Sequence, residues 1–304
     1  MLLAGVLMAG VVLHAVTGHA LTGSPVPAVV PPPPVAGACV LALPPPPSGL
    51  ENASFDYPSA IFGGCAGSKI GEVMSVDLTD HALAAATVED YQQASSLCEF
   101  AEVHYVGWIG PFDPATLAVP GIGWVSDVTV ESLSIGPTAL QRAAGQRWTA
   151  CVGASRIGVD THRPTYRGTL ARALSEGTLP PQFATCWRAL TPSTEQQTEV
   201  EVPCWQPHAV EVLALTQITD PTTTPTLIAE SCRGMAARSM RTADPTVGGR
   251  LEITAYSMDG ASVMPLDSRN MLAGFTGCLA SVPAPLRLQD TVIGLGGKPL
   301  PLIR

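Results

Sequence analysis

His208 and Glu211 form the sharpest polar pair in the chain, three positions apart in the segment Cys204-Trp-Gln-Pro-His208-Ala-Val-Glu211-Val212. An imidazole and a carboxylate at that spacing could share a proton as a general base or supply two ligands to a metal. On a helix, positions i and i+3 share a face. The alternating character of His208 to Thr216 predicts a strand instead, which sends the two side chains to opposite faces. The expectation is therefore structural: an imidazole hydrogen-bonded to a neighbouring hairpin, and a carboxylate anchoring a loop or an arginine. A structural zinc site wants four ligands, and the cysteines have another use, so no metal, cofactor or catalytic residue is expected. Arg147 beside Trp148 completes the candidate functional surface as a cation–π shelf, an arrangement whose commoner role is packing. Gly-x-Ser-x-Gly, Ser-x-x-Lys and His-Glu-x-x-His motifs do not occur, and the glycines between 294 and 297 lack the Lys-Ser/Thr of a phosphate loop.

The eight cysteines fall into two quartets, Cys39, Cys65, Cys98 and Cys151, then Cys186, Cys204, Cys232 and Cys278. The intervening lengths are 25, 32 and 52 residues in the first quartet and 17, 27 and 45 in the second, ranked alike. Cys65-Ala-Gly-Ser-Lys69-Ile-Gly-Glu72-Val73 aligns without a gap on Cys204 to Val212. Glu72 thus matches Glu211, and Lys69 matches His208. Self-similarity of this kind marks a tandem duplication, with a first repeat over residues 36–175 and a second over 180–304. Four cysteines allow three pairings in each repeat. First with second and third with fourth is the expected choice, because the former staples a hairpin and the latter pins a helix to the last strand. No Cys-x-x-Cys occurs, which argues against free redox thiols.

Those cysteines need elements to hold them. Cys186 to Leu190 and Thr198 to Cys204 flank a polar turn and predict a hairpin. Pro225 stands at a first helical position, with a helix expected beyond it turning Leu227, Cys232 (or Ile228) and Met235 inward. The matching helix of the first repeat is expected to open at Thr87 with a capping box to Asp90 and run past Cys98. Strands are expected over Arg147 to Ala154, Leu251 to Ser257 and Thr276 to Ser281. The fold class is α+β: each repeat is a small antiparallel sheet with one covering helix. The apolar connection near Leu170, Leu174 and Phe183 is expected to be buried between the repeats.

Residues 1–23 begin with an uncharged apolar run and are expected to be a membrane anchor, or alternatively a cleaved signal. Residues 24–35, rich in proline, follow as a semi-rigid spacer. An even cysteine count behind such a run implies disulfides in an oxidising, extracytoplasmic compartment, at the cell membrane or secreted. The net charge of −9 is spread over both halves. Phosphate binding needs clustered Lys and Arg, so nucleic acid is excluded as a partner.

The segment Pro203-Cys204-Trp-Gln-Pro207-His208-Ala-Val-Glu211-Val212 resembles the Cys-x-x-Pro-His-x-x-Glu-Val stretch of the septum-formation domain of actinobacterial envelope proteins. Gly145-Gln-Arg147-Trp148-Thr-Ala-Cys151 is similar to the ending of that domain, and Tyr166-Arg-Gly168-Thr169-Leu170 to the short segment after it. Each repeat has lost part of the pattern, since the first has Ser68-Lys69 for Pro-His and the second ends Gly274-Phe-Thr-Gly-Cys278. The resemblance implies an extracytoplasmic body behind a single span and an association with cell division or envelope maintenance, with no reaction. The expected function is a non-catalytic binding or scaffold module whose partner is an envelope protein or glycan. The alternative is an envelope hydrolase or metal-dependent enzyme with its site at His208 and Glu211.

Overall fold

A computed structural model describes residues 29–43, 60–78, 98, 101–107, 122–155, 163–189, 201–259, 262–267 and 274–304. The expected anchor, the first part of the spacer (24–28), the expected helix start at Thr87 and the turn between Leu190 and Thr198 lie outside them. Among the described residues no helix is long and apolar enough to cross a membrane. Residues from Pro32 to Arg304 form one compact unit, a mixed α+β body with mostly antiparallel sheets.

In chain order the elements are β1 (Cys39–Ala42), β2 (Ile61–Gly63), β3 (Gly71–Asp77), β4 (Val125–Ser126), β5 (Val130–Ile135), α1 (Ala139–Ala143), β6 (Thr149–Ser155), α2 (Ala173–Glu176), β7 (Thr185–Trp187), β8 (Glu201–Val202), β9 (Val210–Gln217), α3 (Pro225–Ser239), β10 (Glu252–Asp259), β11 (Ser262–Pro265), β12 (Phe275–Ser281), β13 (Arg287–Leu288) and β14 (Leu302–Ile303). The first sheet runs β2-β1-β3-β6-β5. The second runs β11-β10-β12-β9-β7-β8, so its first five equivalents stand in the same order, with β7, β8, β9, β10 and β12 in the places of β1, β2, β3, β5 and β6.

The correspondence extends to register. Cys39 faces Glu72 across β1 and β3, as Cys186 faces Glu211 across β7 and β9. Both central strands carry one extra residue at the same place: Met74 between Val73 and Ser75, and Leu213 between Val212 and Ala214. A bulge is a positional feature of a strand, and its recurrence means that the two sheets share backbone detail beyond what their sequences share.

The four disulfides are Cys39–Cys65, Cys98–Cys151, Cys186–Cys204 and Cys232–Cys278, the expected pairing. The last pins α3 to β12. Thr224 caps α3 by accepting the Leu227 backbone N–H, and Pro225 occupies the first turn, where its missing N–H costs nothing. The helix buries Ile228, Ser231, Cys232, Met235, Ala236 and Ser239. Leu227, an expected inward residue, is exposed: Cys232 fixes the buried stripe by its bond, and counting back four residues selects Ile228.

The repeats are not separate beads. β4, from the first, pairs with the far half of β9 in the second sheet, Val125 opposite Leu215 and Ser126 opposite Ala214. Trp124 is fully buried in the second core, where its ring N–H donates to Ser231 Oγ at 2.8 Å. Leu170, Leu174 and Phe183 join the same core, as expected for the connection. A smaller core around Val73, Trp148 and Val152 belongs to the first sheet alone.

Candidate functional site

Glu72 is buried on β3. Its Oε1 lies 2.7 Å from Lys69 Nζ, and its Oε2 accepts from Tyr105 Oη, Thr169 Oγ1 and the Leu170 backbone N–H, each at 3.0 Å. Lys69 is 2% exposed. Its ammonium also donates to the Gly168 carbonyl and stands 5.2 Å from the centroid of Tyr166. Backbone bonds of 3.0 and 2.9 Å between Lys69 and Tyr166 bring the segment 166–170 to the carboxylate. Burial, then the charge of Glu72, pushes the Tyr105 and Tyr166 phenols far above their ordinary range, so both stay protonated, and Tyr105 remains a donor to Glu72.

The second repeat builds the same frame with different side chains. Backbone bonds of 3.0 and 2.7 Å join His208 to Leu288. Three residues on, Thr291 Oγ1 donates to Glu211 Oε1 and the Val292 N–H donates to Oε2 at 2.7 Å. The threonine in turn accepts the N–H two residues later, Ile293 at 3.1 Å, as Thr169 accepts from Ala171 at 3.0 Å. Arg172 and Gly294 both take a positive φ, and their N–H groups donate to Tyr105 and Ser239 at the ends of equivalent helical segments.

What is missing in the second frame is the cation. His208 stands for Lys69, and Ser239 for Tyr105. His208 Nδ1 is 2.8 Å from the Gln206 carbonyl; a carbonyl only accepts, so the proton sits on Nδ1 and Nε2 carries a lone pair. Nε2 and Ser239 Oγ are buried without a hydrogen-bond partner among the described residues. Burial lowers the pKa of His208 and raises that of Glu211 to about 7, against the opposing pull of the Thr291 and Val292 bonds.

His208 and Glu211 are not on opposite faces. β9 begins at Val210, and His208 precedes it in a single bridge to Leu288, so the pleat that would separate them does not extend that far. A ring nitrogen of His208, a carboxylate oxygen of Glu211 and Cys186 Sγ lie within 4.8 Å of one another. All three residues are fully buried. With Cys186 held in a disulfide its sulfur bears no charge, and the cluster has two good ligands. Trp148 is likewise core, edge-on to Phe62 at 6.3 Å. Of the four expected surface residues only Arg147 is exposed, its guanidinium on the Gln146 carbonyl at 3.0 Å.

An open concavity among the described residues lies elsewhere. A cleft of about 660 Å³ is lined by both repeat segments and the connection between them, including Tyr166, Arg167, Gln182, Asp290, Thr291 and Lys298. Thr291 spans the two environments, with its hydroxyl on Glu211. Sequence reasoning missed Thr169, Thr291 and Tyr105. The resemblance marks the segment that holds Thr169 without giving the threonine a role, and for Thr291 the signal is that Tyr166-Arg-Gly-Thr-Leu and Leu288-Gln-Asp-Thr-Val agree at one residue in five, too little to see without the paired backbone bridges. No family model, curated protein or solved structure matches this chain.

Proposed function

We propose that the chain is a non-catalytic, extracytoplasmic cell-envelope protein that binds a protein or glycan partner in the cleft between its repeats. The carrying observation is the contrast in access: the cleft opens to solvent between segments of both repeats, whereas His208 and Glu211 are sealed. Four disulfides support an oxidising compartment. Residues 1–23 then serve as a single-pass anchor and residues 24–35 as its spacer. The septum-formation resemblance connects the partner with cell division or envelope maintenance. An enzyme centred on His208 would have to open its core to admit substrate.

Affinity capture from envelope extracts tests this, with wild type compared against the folded double variant Arg167→Glu/Lys298→Glu. A partner captured by wild type and lost by the variant is expected. Equal capture by both would remove the cleft from the reading, and loss of cellular function in a folded His208→Ala protein would favour the enzyme.

A further inference from the structure

We propose that reduction of the Cys186–Cys204 disulfide turns the sealed cluster of the second repeat into a zinc site, with Cys186 Sγ, Cys204 Sγ, His208 Nε2 and a Glu211 carboxylate oxygen as the four ligands. Three observations converge on it. The imidazole is already set as a metal ligand, because the Nδ1–H bond to the Gln206 carbonyl fixes the tautomer and leaves Nε2 buried and unpartnered. The Glu211 carboxylate is fully buried with no cationic side chain on it among the described residues, whereas Lys69 stands 2.7 Å from its counterpart Glu72. Cys186 Sγ is within 4.8 Å of both groups, and the Cα atom of Cys204 is 5.3 Å from that of Cys186.

A tetrahedral zinc with bonds of 2.0–2.3 Å needs ligand atoms roughly 3.3–3.8 Å apart. The cluster lies within 4.8 Å, so closing on a metal takes a contraction of no more than about 1.5 Å, while the two sulfurs separate once their bond opens. Thr291 Oγ1 and the Val292 N–H already hold the Glu211 carboxylate and would orient it from behind. Two thiolates, an imidazole and a carboxylate suit zinc better than the hard cations.

The redox step balances with a dithiol as reductant. The dithiol gives two electrons and two protons, becoming a disulfide itself, and the Cys186–Cys204 bond becomes two thiols. Zinc then displaces both thiol protons to solvent. With the bond closed the site has only two good ligands and does not form. The first repeat supplies the internal control: Cys39, Cys65 and Glu72 are there, but Lys69 offers an ammonium in place of the imidazole.

The experiment reduces the full chain with excess dithiol, removes the reductant under argon, and titrates zinc and cobalt(II). One metal per chain is expected, with cobalt showing the visible d–d bands of a tetrahedral site and a sulfur charge-transfer band. His208→Ala and Glu211→Gln should each weaken binding at least about tenfold, and Cys39→Ser/Cys65→Ser should leave it unchanged. Should the reduced chain unfold, the chain is refolded from denaturant with zinc present and then air-oxidised. Chelation and thiol alkylation should then label Cys186 and Cys204 in wild type and not in His208→Ala. No metal bound by either route, binding indifferent to His208, or binding lost with Cys39 and Cys65 would each overturn the proposal.

Discussion

Glu72 and Glu211 hold the same place in two sheets of the same strand order, yet their neighbourhoods answer one problem in two ways. A buried carboxylate must be paired, hydrogen-bonded or protonated. The first repeat meets its carboxylate with a buried ammonium and three donors. The second keeps the threonine and the backbone N–H, drops the cation and the phenol, and lets the carboxyl pKa rise to about 7. The loop-anchoring job belongs to the fold and is common to both. The charge is a variable that each copy has settled separately.

Removing the cation is the sharpest way to break the contrast. Lys69→Met leaves Glu72 buried with no counter-charge and should cost about 3–5 kcal/mol, read by urea denaturation at pH 7. Adding Glu72→Gln should return most of that loss. A single variant within about 0.5 kcal/mol of wild type would mean that the ion pair contributes nothing.

The next effect is a pH dependence peculiar to the second repeat. The folded pKa of Glu211, about 7, lies above its ordinary 4.5. Between those values the native state holds a proton that the unfolded state has released, so stability falls as pH rises through the window and levels off above it. The loss amounts to about 3 kcal/mol. His208 works the other way: its folded pKa is depressed below the ordinary 6.5, so its contribution is lost on acidification below that value. Glu211→Gln removes the first effect and leaves the second. Its stability relative to wild type should therefore climb by about 3 kcal/mol between pH 4.5 and 8, and a difference that stays flat across that range would refute the account.

Smaller effects come from the helix ends. Tyr105→Phe deletes a donor to a charged acceptor and should cost about 1.5 kcal/mol. Ser239→Ala, at the matching position, deletes a buried hydroxyl without a partner and should be neutral or stabilising by about 0.5 kcal/mol. Equal losses would show that the two helix ends are not in fact different. Smallest of all, Arg172 has a φ of 56° where its counterpart is Gly294. Arg172→Gly relieves that conformation and gives up an exposed pair with Glu176 at 3.3 Å, for a net gain of no more than about 0.5 kcal/mol in thermal unfolding.

Much of this architecture is legible in the sequence, because cysteines are discrete marks whose spacing survives drift. The quartets give the duplication, the pairing and the order of hairpin, helix and last strand. The Glu72 and Glu211 equivalence follows from one ungapped segment. The carboxylate's partners are not legible, because Thr169 and Thr291 lie 97 and 80 residues away and a single threonine in a five-residue match carries no weight. Periodicity also fails at His208: the alternation continues through the residue, but the ladder to Leu288 is a single bridge, and a side chain outside the pleat is free to turn towards Glu211. Helical spacing alone turns Leu227 inward and offers Ile228 only in place of Cys232, whereas the Cys232 bond buries both Ile228 and Cys232 and leaves Leu227 exposed.

The pairing of Val125 and Ser126 with β9 sets a limit on how this protein can be made. Synthesis proceeds from the amino end, so Trp124 and the strand after it emerge well before β9, α3 and Ser231. Until they emerge, Trp124 and the two residues of β4 lack the strand and the helix that cover them in the finished molecule. A nascent chain halted near residue 175 would be a substrate for proteases and for wrong cysteine partners. Its completion waits on the second half of the polypeptide, where β9 and Ser231 supply the missing partners.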